Sequence, residues 1–411
     1  MIKILKNKAV FGLLGSTFFQ VLGISLFNMI LLILAKSSNQ PSLWVTIASI
    51  ASTIPGVLSA VLGKIAGDLT NKAKWVILLT FTQSAFFLVL FTVFLSHNPS
   101  ELGIAIGINL VSDIVGVVIG LLKLPIIQNK VPKELRQQTI GFYDSIGLIM
   151  QPIGQAIGLS YIASTGNYIL GSFINATTFF ISGCILFLSR KNLSYVEPKK
   201  EASEKSVKGR SFKKAFSSLG NITGLPIIRI LGALVILNAL GASIDGILNL
   251  YILEHPQVSP LGFGLTILII NIIFVVGNVL GSVIVHDFLK NTSIQKLLLL
   301  AAGLLGIFFI ILMFNLSAFV IMIVLFSIMY VLGKINPKLS AMLMDNVDSA
   351  SLSTILGILN SSLTVATPIG SIFLVGGYTL IGKNPVLSIS LFMIIVVIIL
   401  LSIKVKPKEL S

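Results

Sequence analysis

Apolar stretches of about 20 residues, the length needed to cross a hydrocarbon core, recur along this whole chain with only short polar breaks between them. That recurrence leaves few folds open. Where no water reaches the backbone, every N–H and C=O has to be paired within its own segment, so each stretch is an expected helix. Helices are expected at about 10–35, 43–63, 75–95, 103–124, 138–162, 168–189, 226–253, 263–285, 296–314, 318–337, 352–376 and 385–403. Composition agrees: 10% of the residues are charged, 55% are apolar and the mean hydropathy is +1.01, whereas a soluble chain carries about 25% charged residues. The first run, 10–35, is too long for a signal-peptide core and has no small-residue cleavage pattern behind it, so it is expected to remain as a helix and the mature chain to begin near Met1.

A net charge of +15 could point to nucleic acid, so the placement of the charges decides. With a cytoplasmic N-terminus, every Lys and Arg except Lys36 and Lys383 falls on the inner side, Lys123 and Lys334 among them. This is the positive-inside pattern. It puts both termini in the cytoplasm and needs no nucleic-acid partner, because anionic membrane lipid accounts for the basic excess. Short loops and an Ile, Lys and Asn bias suggest a bacterial plasma membrane. Cys184 stands alone, and His97, His255 and His286 fall in three separate breaks, so neither a disulfide nor a metal cluster is expected. No clustered His, Asp, Glu and Arg near one membrane face suggests catalysis. A phosphate-cradling glycine loop is also missing, so no cofactor is expected and any pumping should run on an ion gradient.

The chain repeats itself. A shift of 216 residues aligns Val131, Gly141 and Pro152-Ile153-Gly154 with Val347, Gly357 and Pro368-Ile369-Gly370. A shift of 218 aligns Leu22, Gly23 and Ser25 with Leu240, Gly241 and Ser243. The expected organisation is therefore all-α and membrane-integral: twelve transmembrane helices in two pseudo-symmetric six-helix bundles, 1–189 and 225–411, joined by a polar cytoplasmic linker at 190–224. Parallel repeats of this kind put a pathway at their interface and allow alternating access.

Polar side chains indicate which helices line that pathway, since an amide facing lipid is costly. Gln20 and Asn28 lie on the first helix, Asn109 and Asp113 on the fourth, and Asp144, Gln151 and Gln155 on the fifth. The second half has Asn238, Asp245 and Asn249 on the seventh helix, Asn271 and Asn278 on the eighth, and Asn360, Thr364, Thr367 and Ser371 on the eleventh. The ninth and twelfth helices carry almost no polar groups and should face lipid. Such amides also glue helices together. The pairs Gly63/Gly67, Gly116/Gly120, Gly154/Gly158 and Gly277/Gly281 place small residues one turn apart, where backbones can approach. Pro55, Pro152 and Pro368 are expected bending points.

The loop Gly63-Lys-Ile-Ala-Gly67-Asp68-Leu-Thr-Asn71-Lys72-Ala-Lys74 resembles the Gly-x-x-x-Asp-Arg-x-Gly-Arg-Arg motif of the major facilitator superfamily. Leu69 replaces its arginine, and Asn71, which tolerates a left-handed backbone, replaces its turn glycine. In the second half Gly281 to Asn291 keeps the acid as Asp287. The resemblance implies that Gly63, Asp68, Asn71, Lys72, Lys74 and Asp287 belong to a cytoplasmic gate. Gly147-Leu-Ile-Met-Gln151-Pro152-Ile-Gly154-Gln-Ala-Ile-Gly158 resembles a signature of drug antiporters, with Gln151 in place of a glycine. Residues 125–134, with Val131-Pro132-Lys133-Glu134, are similar to the macrolide-efflux branch. The arginine that proton-coupled exporters carry in the fourth helix is missing, and Ser112-Asp113 stand near its position.

This resemblance implies a monomeric secondary transporter that exports a small, amphipathic or drug-like molecule, with the proton as coupling ion. An importer of a sugar, peptide or amino acid, or a lipid flippase, would share the architecture, and a membrane enzyme or receptor is the alternative of another class. An ionised carboxylate in low dielectric is costly unless a proton or a cation joins it. Asp113 and Asp245 are therefore the expected coupling groups, while Asp144, within two turns of the inner surface, is expected to pair with a Lys or Arg.

Overall fold

The computed structural model describes residues 7–96, 100–195, 227–255, 263–315 and 318–402. His97, the linker from residue 196 onward, and Lys3, Lys6, Lys404, Lys406 and Lys408 lie outside them. All twelve expected stretches are helical, and the described residues contain no strand. They are α1 (Lys8–Lys36), α2a (Pro41–Val57) and α2b (Ser59–Asp68), α3 (Lys72–Leu95), α4 (Glu101–Lys130), α5 (Lys133–Thr165) and α6 (Tyr168–Leu188). Then come α7 (Ile227–Glu254), α8 (Phe263–Val283), α9 (Ile294–Met313), α10 (Ala318–Asn346), α11a (Ser349–Gly370), α11b (Gly376–Ile381) and α12 (Lys383–Ser402). Ten spans have the length and apolarity to cross a membrane, and the bent pair formed by α2a and α2b makes an eleventh. With α8 the expected number is complete.

Local chemistry sets the ends of these helices. Asn7 Oδ1 accepts from the amides of Ala9 (3.0 Å) and Val10 (3.4 Å) at the start of α1, and Ser293 and Asp348 cap α9 and α11a in the same way. Asn71 adopts the left-handed conformation (φ 52°) and caps α3 through the amide of Lys74. Pro55 bends the second span by 47° at Leu58. After Pro368 the eleventh span passes through a π-helical turn, Ser371–Val375, before α11b. Pro152 sits inside an unbroken α5, so the expected bend there does not break the helix.

Contacts divide the chain into two compact units, Met1–Lys205 with Val347–Ser361, and Ser206–Asn346 with Ser362–Ser411. In the first, α1 packs chiefly on α5 and α6, α3 on α6 and α4, and both parts of the second span on α4. In the second, α7 packs on the π turn and α12, α9 on α12 and α10, and α8 on α10. Adding six to each helix number of the first unit gives the pairings of the second, so the duplication in sequence is also one of packing.

Glycine makes the tightest of these crossings possible. A methyl group at Gly158 would lie 2.5 Å from the Leu26 carbonyl oxygen, and one at Gly154 would lie 2.8 Å from that of Leu22. In the second unit a methyl group at Gly370, the repeat partner of Gly154, would lie 2.3 Å from the Ala239 oxygen. Gly277 and Gly281 seat α8 on α10 at Phe326, Met329 and Tyr330. Gly116 and Gly120 differ from expectation. A methyl group there would meet only the Gln83 amide at 3.4 Å and the Tyr143 hydroxyl at 3.9 Å, so these glycines make room for side chains.

The first unit extends beyond the first half of the sequence because it takes in Val347–Ser361. Gly63 and Gly357 lie back to back, with a methyl on Gly63 only 3.0 Å from the Gly357 Cα. Ser353 donates to the Leu121 carbonyl (2.9 Å), Thr354 to that of Gly63 (3.3 Å), and the Gln128 amide to that of Val347 (2.6 Å).

Overpacking a tight helix crossing costs about 1–3 kcal/mol. Gly281→Leu, whose first side-chain carbon would sit 2.0 Å from the Tyr330 oxygen, should lower the unfolding midpoint of the detergent-solubilised protein. Gly303→Leu, at a site with nothing within 4 Å, should leave it within error of the native value.

Candidate functional site

Polar groups inside the first unit collect in two layers along the seam of α1 and α4. In one, the Asn109 amide donates to Asn28 Oδ1 (3.0 Å) and to Asp113 Oδ2 (3.1 Å). Asn109 is 7% exposed and Asp113 half-buried. Among the described residues no cation lies within ion-pair distance of Asp113. Asn28 and Asp113 are thus tied to each other through one amide, as their helical positions suggest.

The other layer is centred on Lys123, and sequence reasoning missed it. With the fourth helix ending near 124, Lys123 is an inner-surface charge. Instead α4 runs on through Pro125 to Lys130, and Lys123 lies about two turns inside with 1% exposure. Its ammonium donates to Gln20 Oε1 (2.6 Å), Thr17 Oγ1 (3.0 Å) and Ser16 Oγ (3.5 Å), all on α1. Behind them, Ser16 bonds Ser182 of α6 at 2.8 Å, and the Gln20 amide donates to Thr80 of α3 at 3.2 Å. Three acceptors satisfy the three donors of an ammonium, but none carries a charge. The apolar run Pro125-Ile126-Ile127 was the available signal that the helix continues.

Gln83 and Asn175 are also absent from the sequence-based candidates, and both are 0% exposed. Gln83 donates to the Ser112 carbonyl (2.9 Å) and hydroxyl (3.2 Å), leaving its own oxygen without a partner. Asn175 has an unpartnered amide nitrogen. Asp144 corrects an expectation: it is half-buried beside Tyr143 and makes no ion pair among the described residues, because Lys123 is committed to the oxygens of α1. Gln151 and Gln155 are exposed. Further along α5, Ala156, Ile157, Ser160, Tyr161 and Ser164 line a concavity of about 410 Å³.

In the second unit the candidates stand apart. The Asn238 amide donates to the Leu363 carbonyl (2.6 Å) and to Thr367 (3.0 Å), joining α7 to α11a. Asn278 packs its carbonyl against Gly333 of α10. Asp245, Asn271 and Asn360 are exposed, and Asn249 is half-buried. The α9 and α12 helices show exposed apolar stripes, including Ile307, Ile310, Phe392 and Ile395, as a lipid-facing position requires.

The two loop motifs are built differently. Asp68 is exposed, Lys74 exposed, and Lys72 buried with its ammonium on the Leu69 carbonyl (2.8 Å). Asp287 accepts from Tyr330 and from the Leu289 amide (3.0 Å) and forms a 2.9 Å salt bridge with Lys334. Burial works against the Asp287 charge, but these hydrogen bonds and the Lys334 charge outweigh it and hold the carboxyl below its usual range. Lys334 was also counted as a surface charge. Because α10 continues to Asn346, it lies within the helix at 1% exposure.

Among the described residues no group of three or more His, Cys, Asp or Glu side chains is placed to hold a metal ion. Comparison with curated protein sequences returns no match. The fold resembles the human organic anion transporter MFSD10 (TETRAN), with a TM-score of 0.69 and 15% identity over 96% of this chain and 99% of that one. It also resembles a bacterial homologue of the iron transporter ferroportin in an outward-facing state, with a TM-score of 0.67 and 14% identity over 96% and 98% of the two chains. A profile of the Major Facilitator Superfamily matches residues 13–371. The chain belongs to that superfamily and is a multi-pass membrane protein and secondary transporter.

Proposed function

We propose that this protein exports a small amphipathic, drug-like molecule across the bacterial plasma membrane in exchange for protons, acting as a monomer with both termini in the cytoplasm. The observation that carries this reading is the pair of unmatched charges on α4. Asp113 and Lys123 are ten residues apart, about 15 Å along the helix. Neither has an oppositely charged partner among the described residues. A buried carboxylate without a cation is stabilised by a proton or by a cationic ligand, and the two compete for it. That competition is antiport. Asn109 and Asn28 hold the Asp113 carboxylate in place, and the ammonium of Lys123, anchored on Gln20, biases the same helix against a second cation. Asp245, exposed on α7, is the second coupling candidate. The helix 5 sequence around Gln151-Pro152 and the loop at 131–134 support export of a drug-like substrate.

Purified protein in liposomes with an imposed pH gradient, and the lipophilic cation ethidium as probe, tests the reading. Native protein should accumulate dye only while the gradient lasts. Asp113→Asn should abolish gradient-driven accumulation yet keep dye-for-dye exchange. Native-like accumulation by both Asp113→Asn and Asp245→Asn would overturn proton coupling through these groups. Lys123→Met leaves the buried Gln20 Oε1 without its donor, and such a loss costs about 1–3 kcal/mol. Its unfolding midpoint should fall, and Lys123→Arg should recover part of the loss.

A further inference from the structure

Lys383 is a basic residue that the charge asymmetry does not explain, and it lies in a cluster unrelated to the α1/α4 seam. The cluster sits where α7 and α9 end and α12 begins. Its described polar and titratable members are Tyr251 and Glu254 of α7, His255 just after it, Asn315 after α9, Tyr378 of α11b and Lys383 of α12. The Lys383 ammonium donates to Asn315 Oδ1 (2.6 Å), lies 3.4 Å from His255 Nε2 and stands over the Tyr251 ring, 5.5 Å from its centre. Tyr251 is fully buried and stacks on His255 with ring centres 4.6 Å apart. Beside them the Tyr378 hydroxyl donates to Glu254 Oε2 (2.7 Å).

The geometry fixes the histidine's tautomer. His255 Nδ1 lies 3.0 Å from the Tyr251 carbonyl oxygen. A carbonyl only accepts, so Nδ1 carries the ring proton of the neutral imidazole and Nε2 offers its lone pair to Lys383. A second proton has one place to go, Nε2, where it would face the ammonium as donor against donor and cation against cation. His255 and Lys383 are half-buried, so water reaches both. Glu254, exposed one residue away, supplies negative charge to a displaced ammonium.

We propose that His255 and Lys383 form a proton-sensitive clasp that holds the hairpin of α11b and α12 to the end of α7 and opens when His255 takes its second ring proton. The hairpin is built to move once freed. Gly382 turns it with a φ of 86°, in the left-handed region, and α11b is joined to α11a through the π turn, a local weakening of the helical ladder. The hydrogen bond from Tyr378 to Glu254 remains as a second tether, so opening is a local loosening of α12's first turn. The clasp answers to the pH of the compartment it faces, whichever way the protein is inserted, and is separate from the coupling group on α4.

A nitroxide on Leu380→Cys, at an 85% exposed position of α11b, in a full-length Cys184→Ala background, reads the hairpin's mobility. As pH falls from about 8 to 5, the interval in which histidines change charge, the label should become more mobile. In His255→Gln the pH response should be lost, and in Lys383→Gln the label should be mobile throughout. Nitrogen NMR of histidine-labelled native protein gives a second reading that requires no change at the clasp, and His255 should show the Nδ1–H tautomer at neutral pH. A pH-independent label in the native background, a response retained in His255→Gln, or an Nε2–H tautomer would each overturn the clasp.

Discussion

In hydrocarbon a backbone N–H or C=O has no water to bond, and this single constraint organises the protein. It makes every span a helix and limits where the chain can deviate from one. The deviations seen are local: the bend at Leu58 after Pro55, and the π turn after Pro368. With the backbone satisfied internally, lipid supplies no hydrophobic drive for helices to associate, so packing and interhelical hydrogen bonds must do so. The glycines at Gly154, Gly158, Gly277, Gly281 and Gly370 let helices approach to backbone contact. Where they are absent, polar side chains form the links, as Ser84 does with the Ala176 carbonyl at 2.8 Å.

The same constraint gives the charged groups their meaning. Lys334 and Asp287 neutralise each other at 2.9 Å and read as structure. Lys123 is satisfied in hydrogen bonds but not in charge, and Asp113 is held by the Asn109 amide. A buried charge matched only by neutral dipoles is costly, and in a transporter it marks a place where an ion or substrate completes the site. The two units therefore share a packing plan while differing in electrostatics: the unmatched pair belongs to the first, and the second keeps its acid and lysine together.

The fold was legible because period, length and charge placement all report on the same membrane. Twelve stretches, the repeat at 216 to 218 residues and the left-handed turn at Asn71 are all realised. What the sequence hid was depth. Lys123 and Lys334 looked like inner-surface charges because each follows an apolar run that could have ended there. Only the continuation of α4 to Lys130 and α10 to Asn346 shows that they are inside. Amides posed a related ambiguity, since Gln20 and Asn109 proved to bond neighbouring helices while Gln151 and Gln155 stayed exposed. Residue type alone does not separate these roles, because facing a neighbouring helix or an open surface depends on rotation about the helix axis by a few tens of degrees. Gly116 and Gly120 carry the same lesson: their spacing matches that of Gly154 and Gly158, but the neighbours are side chains.

The central claim is that Asp113 takes up and releases a proton inside the membrane. Infrared difference spectroscopy of the reconstituted protein through an acid-to-alkaline step observes that event directly, as a protonated-carboxyl band that disappears. The account predicts that Asp113→Asn loses the Asp113 share of this band while Asp287→Asn, whose carboxylate stays charged against Lys334, leaves it unchanged. A band of native intensity in Asp113→Asn would contradict it.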